Sequence, residues 1–232
     1  MRAADAVLTH SPAEAALLAG AGIAATVVPW QLDATVPRLP FAARAGLAMI
    51  ANYTHAPNLD AADQLLNEVM PRLWTEAPWL RCYLVGSGTP AGLAGADPRV
   101  VLLGPVAELS EVFDLVRLTV APLRFGAGVK GKVLTSLAAG VPCVMTPCAA
   151  EGLDLPASLA GTIAADPEGL AAAILRLHDD PAHHAAAAAA GQRFAADWGT
   201  AEAVREGLRA ALGPAIAATA DEGYTQRIAG VA

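Results

Sequence analysis

Residues 124–136 read RFGAGVKGKVLTS, and the strand-to-helix turn they spell decides the fold class. LTVAPL (118–123) ahead of them is a short apolar run of strand type, and Val129 to Ala139 carry helical spacing that Gly140 stops. Gly126, Gly128 and Gly131 give G-x-G-x-x-G, the dinucleotide fingerprint; Gly126, Gly131 and Lys132 give G-x-x-x-x-G-K, the opening of a triphosphate loop. Neither is complete. Val133 stands where the triphosphate loop needs a hydroxyl for magnesium, and the next strand, VPCVMTP (141–147), ends in Thr146-Pro147 where the dinucleotide fold needs an acid for the ribose. Glu151 has a suitable spacing but lies beyond that strand. What remains is the physics common to both motifs: glycines bring backbone N–H groups to the positive end of a helix, with Arg124, Lys130 and Lys132 beside them in a chain of only 15 basic residues. That favours a bound phosphate over a tight turn with solvated charges.

Outward from this turn, apolar runs alternate with amphipathic stretches. LAMIA (47–51), RCYLVGSG (81–88) and RVVLLGPV (99–106) are further strands, and GTIAA (161–165) is a weak last one. Asn58 caps a helix from Leu59 to about Glu76, with Leu65, Leu66, Val69, Met70 and Leu73 on one buried stripe and Pro71 expected to kink or shorten it. Glu108 to Val116 is a short helix, Pro181 starts an alanine-rich one, Gly199-Thr200 separates it from another, and Pro214 marks a break. The pattern predicts an α/β fold, a Rossmann-like parallel sheet flanked by helices, with a helical C-terminal region. Residues 1–45 stand apart: DAVLTHSPAEAALLAGAG and ATVVPW read as strand, helix, strand, and Pro29 to Arg44 as a linker. The predicted domains are therefore 1–45, 46–212 and a tail at 213–232.

The bulk properties exclude several classes. A net charge of -7 argues against a nucleic-acid surface. The positive mean hydropathy comes largely from alanine, and neither a run of membrane-spanning length nor a secretory leader is evident, so a cytoplasmic location is expected. Cys82, Cys143 and Cys148 have no metal or redox spacing and read as reduced thiols; His183-His184 reads as a solvated surface pair. H-E-x-x-H and G-x-S-x-G are both lacking, and no metal site is expected.

Taken in order, NYTHAPNLDAADQL, YLVGSG, VVLLGPV, APLRFGAGVKGK, AAGVPCV and AAEGL are similar to the signature of GT-B glycosyltransferases, the two-Rossmann-domain type, in the retaining, nucleotide-sugar-dependent group called family 4 or group 1. The resemblance covers about residues 46–212, which would be the carboxy-terminal, donor-binding domain; residues 1–45 resemble the end of the acceptor-side domain. It implies transfer of a sugar from a nucleotide diphosphate sugar, a substrate rather than a cofactor, to an unknown glycan, lipid or small-molecule acceptor. The amides of Gly126, Ala127 and Gly128 would face the diphosphate, Arg124 and Lys130 would stabilise the leaving group, and Lys132 would be a solvated helix residue and the second choice for that role. Gly86, Ser87, Gly88, Gly104 and Val106 would line the nucleoside pocket, with Glu151 near the sugar or diphosphate.

The sequence departs from the family at three points. Thr135 stands where a glutamate holds the ribose hydroxyls, Ala127 where the earlier of the paired glutamates falls, and Asn52 to Asn58 lack the arginine and lysine that follow the first strand. With only the end of an acceptor-side domain legible, the chain reads as a truncated, donor-binding half without transfer activity of its own. A degenerate, non-catalytic nucleotide-sugar-binding module is the alternative. A nicotinamide-dependent oxidoreductase rests on the glycine spacing alone.

Overall fold

The computed structural model describes residues 4, 6–32, 36–90, 92–93 and 97–213, so the expected break at Pro214 and the tail behind it lie outside the described residues. The chain divides into two units, one within Met1–Gln31 and Asp197–Ala232, the other Leu32–Ala196.

In the first unit, β1 (Leu8–Thr9) and β2 (Thr26–Val27) pair in parallel, Leu8 with Thr26 and Thr9 with Val27, around α1 (Pro12–Gly20). Ser11 starts the helix by accepting a hydrogen bond from Glu14 N at 3.1 Å, and Pro12 sits in the first turn where its missing N–H costs nothing. The predicted strand, helix and strand are all present.

The second unit opens with a 3-10 turn (Phe41–Ala43) and runs through β3 (Leu47–Ile50), α2 (Ala56–Gln64), a π turn (Leu65–Val69), α3 (Met70–Glu76), β4 (Cys82–Val85), β5 (Val100–Gly104), α4 (Leu109–Phe113) and β6 (Leu118–Ala121). It continues with α5 (Gly131–Ala138), β7 (Cys143–Met145), α6 (Pro147–Ala150), α7 (Pro167–Asp179) and α8 (Pro181–Trp198). The chain then returns to the first unit as α9 (Ala201–Leu212), capped by Thr200 and lying so close to β2 that a Cβ on Gly207 would stand 2.7 Å from the Val27 oxygen.

The five strands of the second unit form one parallel sheet in the order β5-β4-β3-β6-β7. Parallel strands covered on both faces read as continuous apolar runs, and all of β6 and β7 is buried. One polar link crosses this core: Ser136 Oγ lies 2.6 Å from Thr119 Oγ1 and donates to the Val141 carbonyl at 2.8 Å, so neither buried hydroxyl is left unpaired. The stripe Leu65, Leu66, Val69, Met70 and Leu73 is buried as predicted, but Pro71 does not end its helix. The π turn immediately before it loosens the hydrogen-bond ladder where the proline ring would meet the preceding turn.

Several local expectations are corrected. GTIAA is not a strand; a 3-10 segment (Ala157–Thr162) leads to one parallel bridge, Ile163 to Met145. The helix expected from Leu59 begins at Ala56, with Pro57 in its first turn and His55 before it, so Asn58 is not its cap. The second half of the expected linker is tied down, because Asp114 accepts from Arg38 N at 2.6 Å, Arg38 Nε at 2.7 Å and Leu39 N at 3.2 Å. His184 is buried, not solvated: its ring lies against Phe41 and its Nε2 donates to the Arg117 carbonyl at 2.8 Å.

His178, also buried, accepts through Nε2 from Gly46 N at 3.3 Å. Burial, and Arg117 nearby, lower the pKa of both histidines below the ordinary 6.5. The unfolded chain therefore binds more protons than the folded one as pH falls through about 6.5, and stability drops with it. Thermal unfolding monitored by circular dichroism should give a melting temperature that is level above pH 7 and falls below about 6.5, with a shallower fall in His184→Gln.

Candidate functional site at the carboxyl edge of the sheet

β3 and β6 are neighbours, yet the chain leaves β3 towards β4 on one side and β6 towards β7 on the other. The carboxyl ends of such a pair open a crevice where ligands of parallel sheets sit. Here the crevice is bounded by 51–55 after β3 and 122–130 after β6.

The glycines after β4 fit closely against the first of these loops. A Cβ on Gly86 would stand 1.8 Å from the Ala51 oxygen, one on Gly88 2.4 Å from Thr54 Cγ2, and Tyr53 N donates to the Ser87 carbonyl at 2.8 Å. Gly86 has φ 127° and Gly104 φ 68°, and Gly86 N donates to the Gly104 carbonyl at 2.7 Å. Gly86, Ser87, Gly88 and Gly104 thus gather at one place. Val106 is half-buried against the Ala48, Val85 and Val112 cluster, so its side chain belongs to the core and only its backbone is available.

The glycine turn after β6 reaches over the start of α2: a Cβ on Gly126 would lie 3.7 Å from Pro57 Cβ. Gly126 and Gly128 have φ of 139° and 76°, a region that favours glycine. Lys130 occupies the position before α5, and His55 the one before α2; neither side chain caps its helix. The start of α5 at the crevice thus has no side-chain cap over its first amides, an arrangement suited to an anion, whereas α2 offers only the Ala56 N–H, since Pro57 has none and Asn58 N donates to the His55 carbonyl at 3.0 Å. Lys130 is buried and its Nζ donates to the Gly128 carbonyl at 2.5 Å, holding an ammonium within the glycine turn.

Arg124 is engaged elsewhere. Its guanidinium grips Asp60 with both Nε and Nη2 and reaches Glu68 Oε1 at 3.3 Å, which straps the loop to α2 and holds the Asp60 carboxyl below its usual pKa. The structure does not bring this guanidinium to the glycine amides. Lys132, expected to be solvated, is instead half-buried with Nζ donating to Asn58 Oδ1 at 2.6 Å, while Asn58 Nδ2 donates to the Asn52 carbonyl at 2.8 Å. Sequence reasoning missed this bridge between the first turns of α2 and α5, since its partners are 74 positions apart. Thr135 lies half-buried on α5, Ala127 in the glycine turn, and Glu151 is exposed just beyond α6, whose Cys148 thiol approaches the Gly126 carbonyl at 3.8 Å. Among the described residues, no three His, Cys, Asp or Glu side chains cluster as metal ligands would, and no helix is long and apolar enough to cross a membrane.

Residues 44–180 match the family Glycosyl transferases group 1. The chain belongs to this family. No curated protein matches it. As a group 1 glycosyl transferase fold it is similar to S. aureus TarM, solved with fondaparinux, alpha-GlcNAc-glycerol and UDP, at 11% identity and TM-score 0.77, covering 90% of this chain and 44% of TarM. It is also similar to Anabaena HepE in complex with UDP-glucose (17% identity, TM-score 0.69, covering 89% and 63%) and to sucrose-phosphate synthase from Thermosynechococcus elongatus (19%, 0.66, 98% and 59%). At such identities the likeness is one of fold, and the chain spans 44–63% of these proteins' lengths.

The tight glycine of this group 1 domain should be the least replaceable. Gly86→Ala, whose methyl would collide with the Ala51 carbonyl, is expected to cost about 3 kcal/mol or more, whereas Gly126→Ala, strained in φ but unhindered, should cost about 1–2 kcal/mol. Urea unfolding of the two variants measures the difference.

Proposed function

We propose that the chain is the donor-binding half of a glycosyltransferase, retaining in stereochemistry, that moves a sugar from a nucleotide diphosphate sugar to a glycan, lipid or small-molecule acceptor. The observation that carries this is the uncapped N-terminus of α5 following the glycine turn, with the Lys130 ammonium inside that turn. Family membership, and relatives solved with UDP and UDP-glucose, support the choice of anion.

In this reading the amides around Gly126, Ala127 and Gly128 take the diphosphate, and Lys130 exchanges the Gly128 carbonyl for a phosphate oxygen and meets the charge released as the glycosidic bond breaks. Arg124 acts mainly through Asp60, by holding the loop on α2. Gly86, Ser87 and Gly88, packed against the 51–55 loop, line the nucleoside side of the crevice with backbone, Thr135 offers the ribose one uncharged hydrogen bond, and Glu151 lies towards the sugar. The nucleotide sugar is a substrate, with no resident cofactor or metal proposed, and the reaction is placed in the cytoplasm. Residues 46–212 are assigned to the donor side and 1–45 to the end of the acceptor side, with the acceptor bound by parts a longer chain or a partner supplies. A non-catalytic nucleotide-sugar-binding module is the second reading, favoured by Thr135 in place of a ribose-binding carboxylate.

Titration calorimetry tests the proposal. UDP or GDP should bind saturably, and Lys130→Ala, which removes a charge-assisted hydrogen bond, should weaken binding about tenfold to a hundredfold; absence of binding at millimolar nucleotide would exclude a donor site. Thr135→Glu should tighten binding by about tenfold by adding a carboxylate to the ribose hydroxyls. If the protein completed with an acceptor-side domain binds UDP-sugar but neither hydrolyses nor transfers it, the second reading prevails.

A further inference from the structure

We propose that His178 is a proton switch for the strap formed by residues 38–46, holding it on the amino-terminal edge of the sheet while the imidazole is neutral and releasing it when the ring gains a second proton. The strap lies at the edge opposite the crevice, so the switch does not depend on the donor-site reading.

Residues 38–46 lead into β3 with a single 3-10 turn among them, so their position depends on what they touch. Asp114 takes Arg38 and Leu39 at one end. In the middle, the Arg117 guanidinium lies 4.1 Å over the Phe41 ring, donates through Nε to the Arg44 carbonyl at 2.8 Å and reaches the His178 carbonyl through Nη1 at 2.7 Å. At the other end, Ala45 N donates to the Leu115 carbonyl at 2.9 Å and Gly46 N to His178 Nε2 at 3.3 Å. A backbone N–H only donates, so Nε2 is the unprotonated nitrogen of His178. The ring proton therefore sits on Nδ1, 2.6 Å from Asp179 Oδ1.

A second proton has no place in this arrangement. On Nε2 it would turn an acceptor into a donor facing the Gly46 N–H, inside a side chain that is only 1% exposed. The cluster has no spare acceptor to offer: Arg44, buried in the strap, donates through Nη1 to the Val116 carbonyl at 3.2 Å, while its Nε finds no acceptor among the described residues. The charges around the ring are mainly positive. Arg117, ahead of β6, places Nη1 3.4 Å from Nδ1; the strap adds Arg44, and α8 adds the buried His184, whose ring lies against Phe41. Trp79, before β4, covers His178 with an uncharged ring at 5.3 Å. The carboxylate on its own helix is Asp179, whereas Asp114 is committed to Arg38 and Asp180 to the first amides of α8. Burial and Arg117 outweigh Asp179, so the ring takes its second proton more readily once the strap has let go. Residues 38–46 belong to one of the two chain connections between the units, and their release lengthens that connection while the sheet stays paired.

Backbone hydrogen exchange in the full chain, corrected for the intrinsic effect of pH on exchange, tests the switch. Protection of the Ala45 and Gly46 amides should be level above about pH 7 and fall by up to about tenfold per unit below about 6.5. At every pH it should stay lower than the protection of Val120 and Val144 in the sheet, because the strap opens without the sheet. His178→Gln, whose amide oxygen can accept from Gly46 N at any pH, should flatten most of the fall. Strap protection that does not change between about pH 7 and 5, or strap and sheet amides of equal protection throughout, overturns the inference. So does a His178→Gln variant with the wild-type fall. The first two outcomes are read on the wild type, which decides even if the variant does not fold.

Discussion

The pairing of Leu47 and Ala48 on β3 with Leu118 and Thr119 on β6 holds the functional edge in place. Both strands are buried, and a slip of one residue would exchange their apolar faces, so the register is tightly specified. Since the chain departs from them in opposite directions, the loops beyond their carboxyl ends diverge and leave a crevice. The β4 glycines wedge against one loop, and the Lys132–Asn58 bridge ties together the helix starts that follow the two. Fixed strands therefore position a site whose contacting groups are mostly backbone.

The electrostatics of that site differ from what its composition suggests. Arg124, Lys130 and Lys132 lie within nine positions of an acidic chain, which looks like a single patch of three positive charges. In the fold one is neutralised by Asp60, one lies on a carbonyl within the turn and one is shielded by burial. In the proposed donor site the attraction for an anion would come from the two lysines and the start of α5 together, over a short range that burial protects from salt.

Most strands were legible because a parallel sheet covered on both faces leaves unbroken apolar runs, and the glycine turn was legible because left-handed backbone calls for glycine at Gly126 and Gly128. Harder to read were features set by partners distant in sequence. Lys132 appeared solvated since nothing nearby announces Asn58, and His184 appeared exposed because its alanine-rich helix has little amphipathic contrast to show that Arg117 and Phe41 cover it. GTIAA has strand-like composition, yet its pairing stops at one residue, a tertiary outcome that propensity does not encode. The role of Arg124 was half legible: a charge beside the glycines is visible in sequence, the carboxylates that claim it are not.

The π turn before Pro71 has a consequence for the phase of its helix. Ala61, Leu65, Val69 and Leu73 are all buried and follow one another at intervals of four. In an unbroken α-helix each such step overshoots by about 40°, so by Leu73 the row would have wandered about 120° around the axis. The wider turn at Leu65–Val69 absorbs most of that drift and keeps a single buried stripe along the full length. Proline tolerance and alignment of the stripe are thus one solution, and removing a residue from this turn would restore ideal helical pitch while leaving Leu73, then eleven steps from Ala61, within about 20° of the stripe.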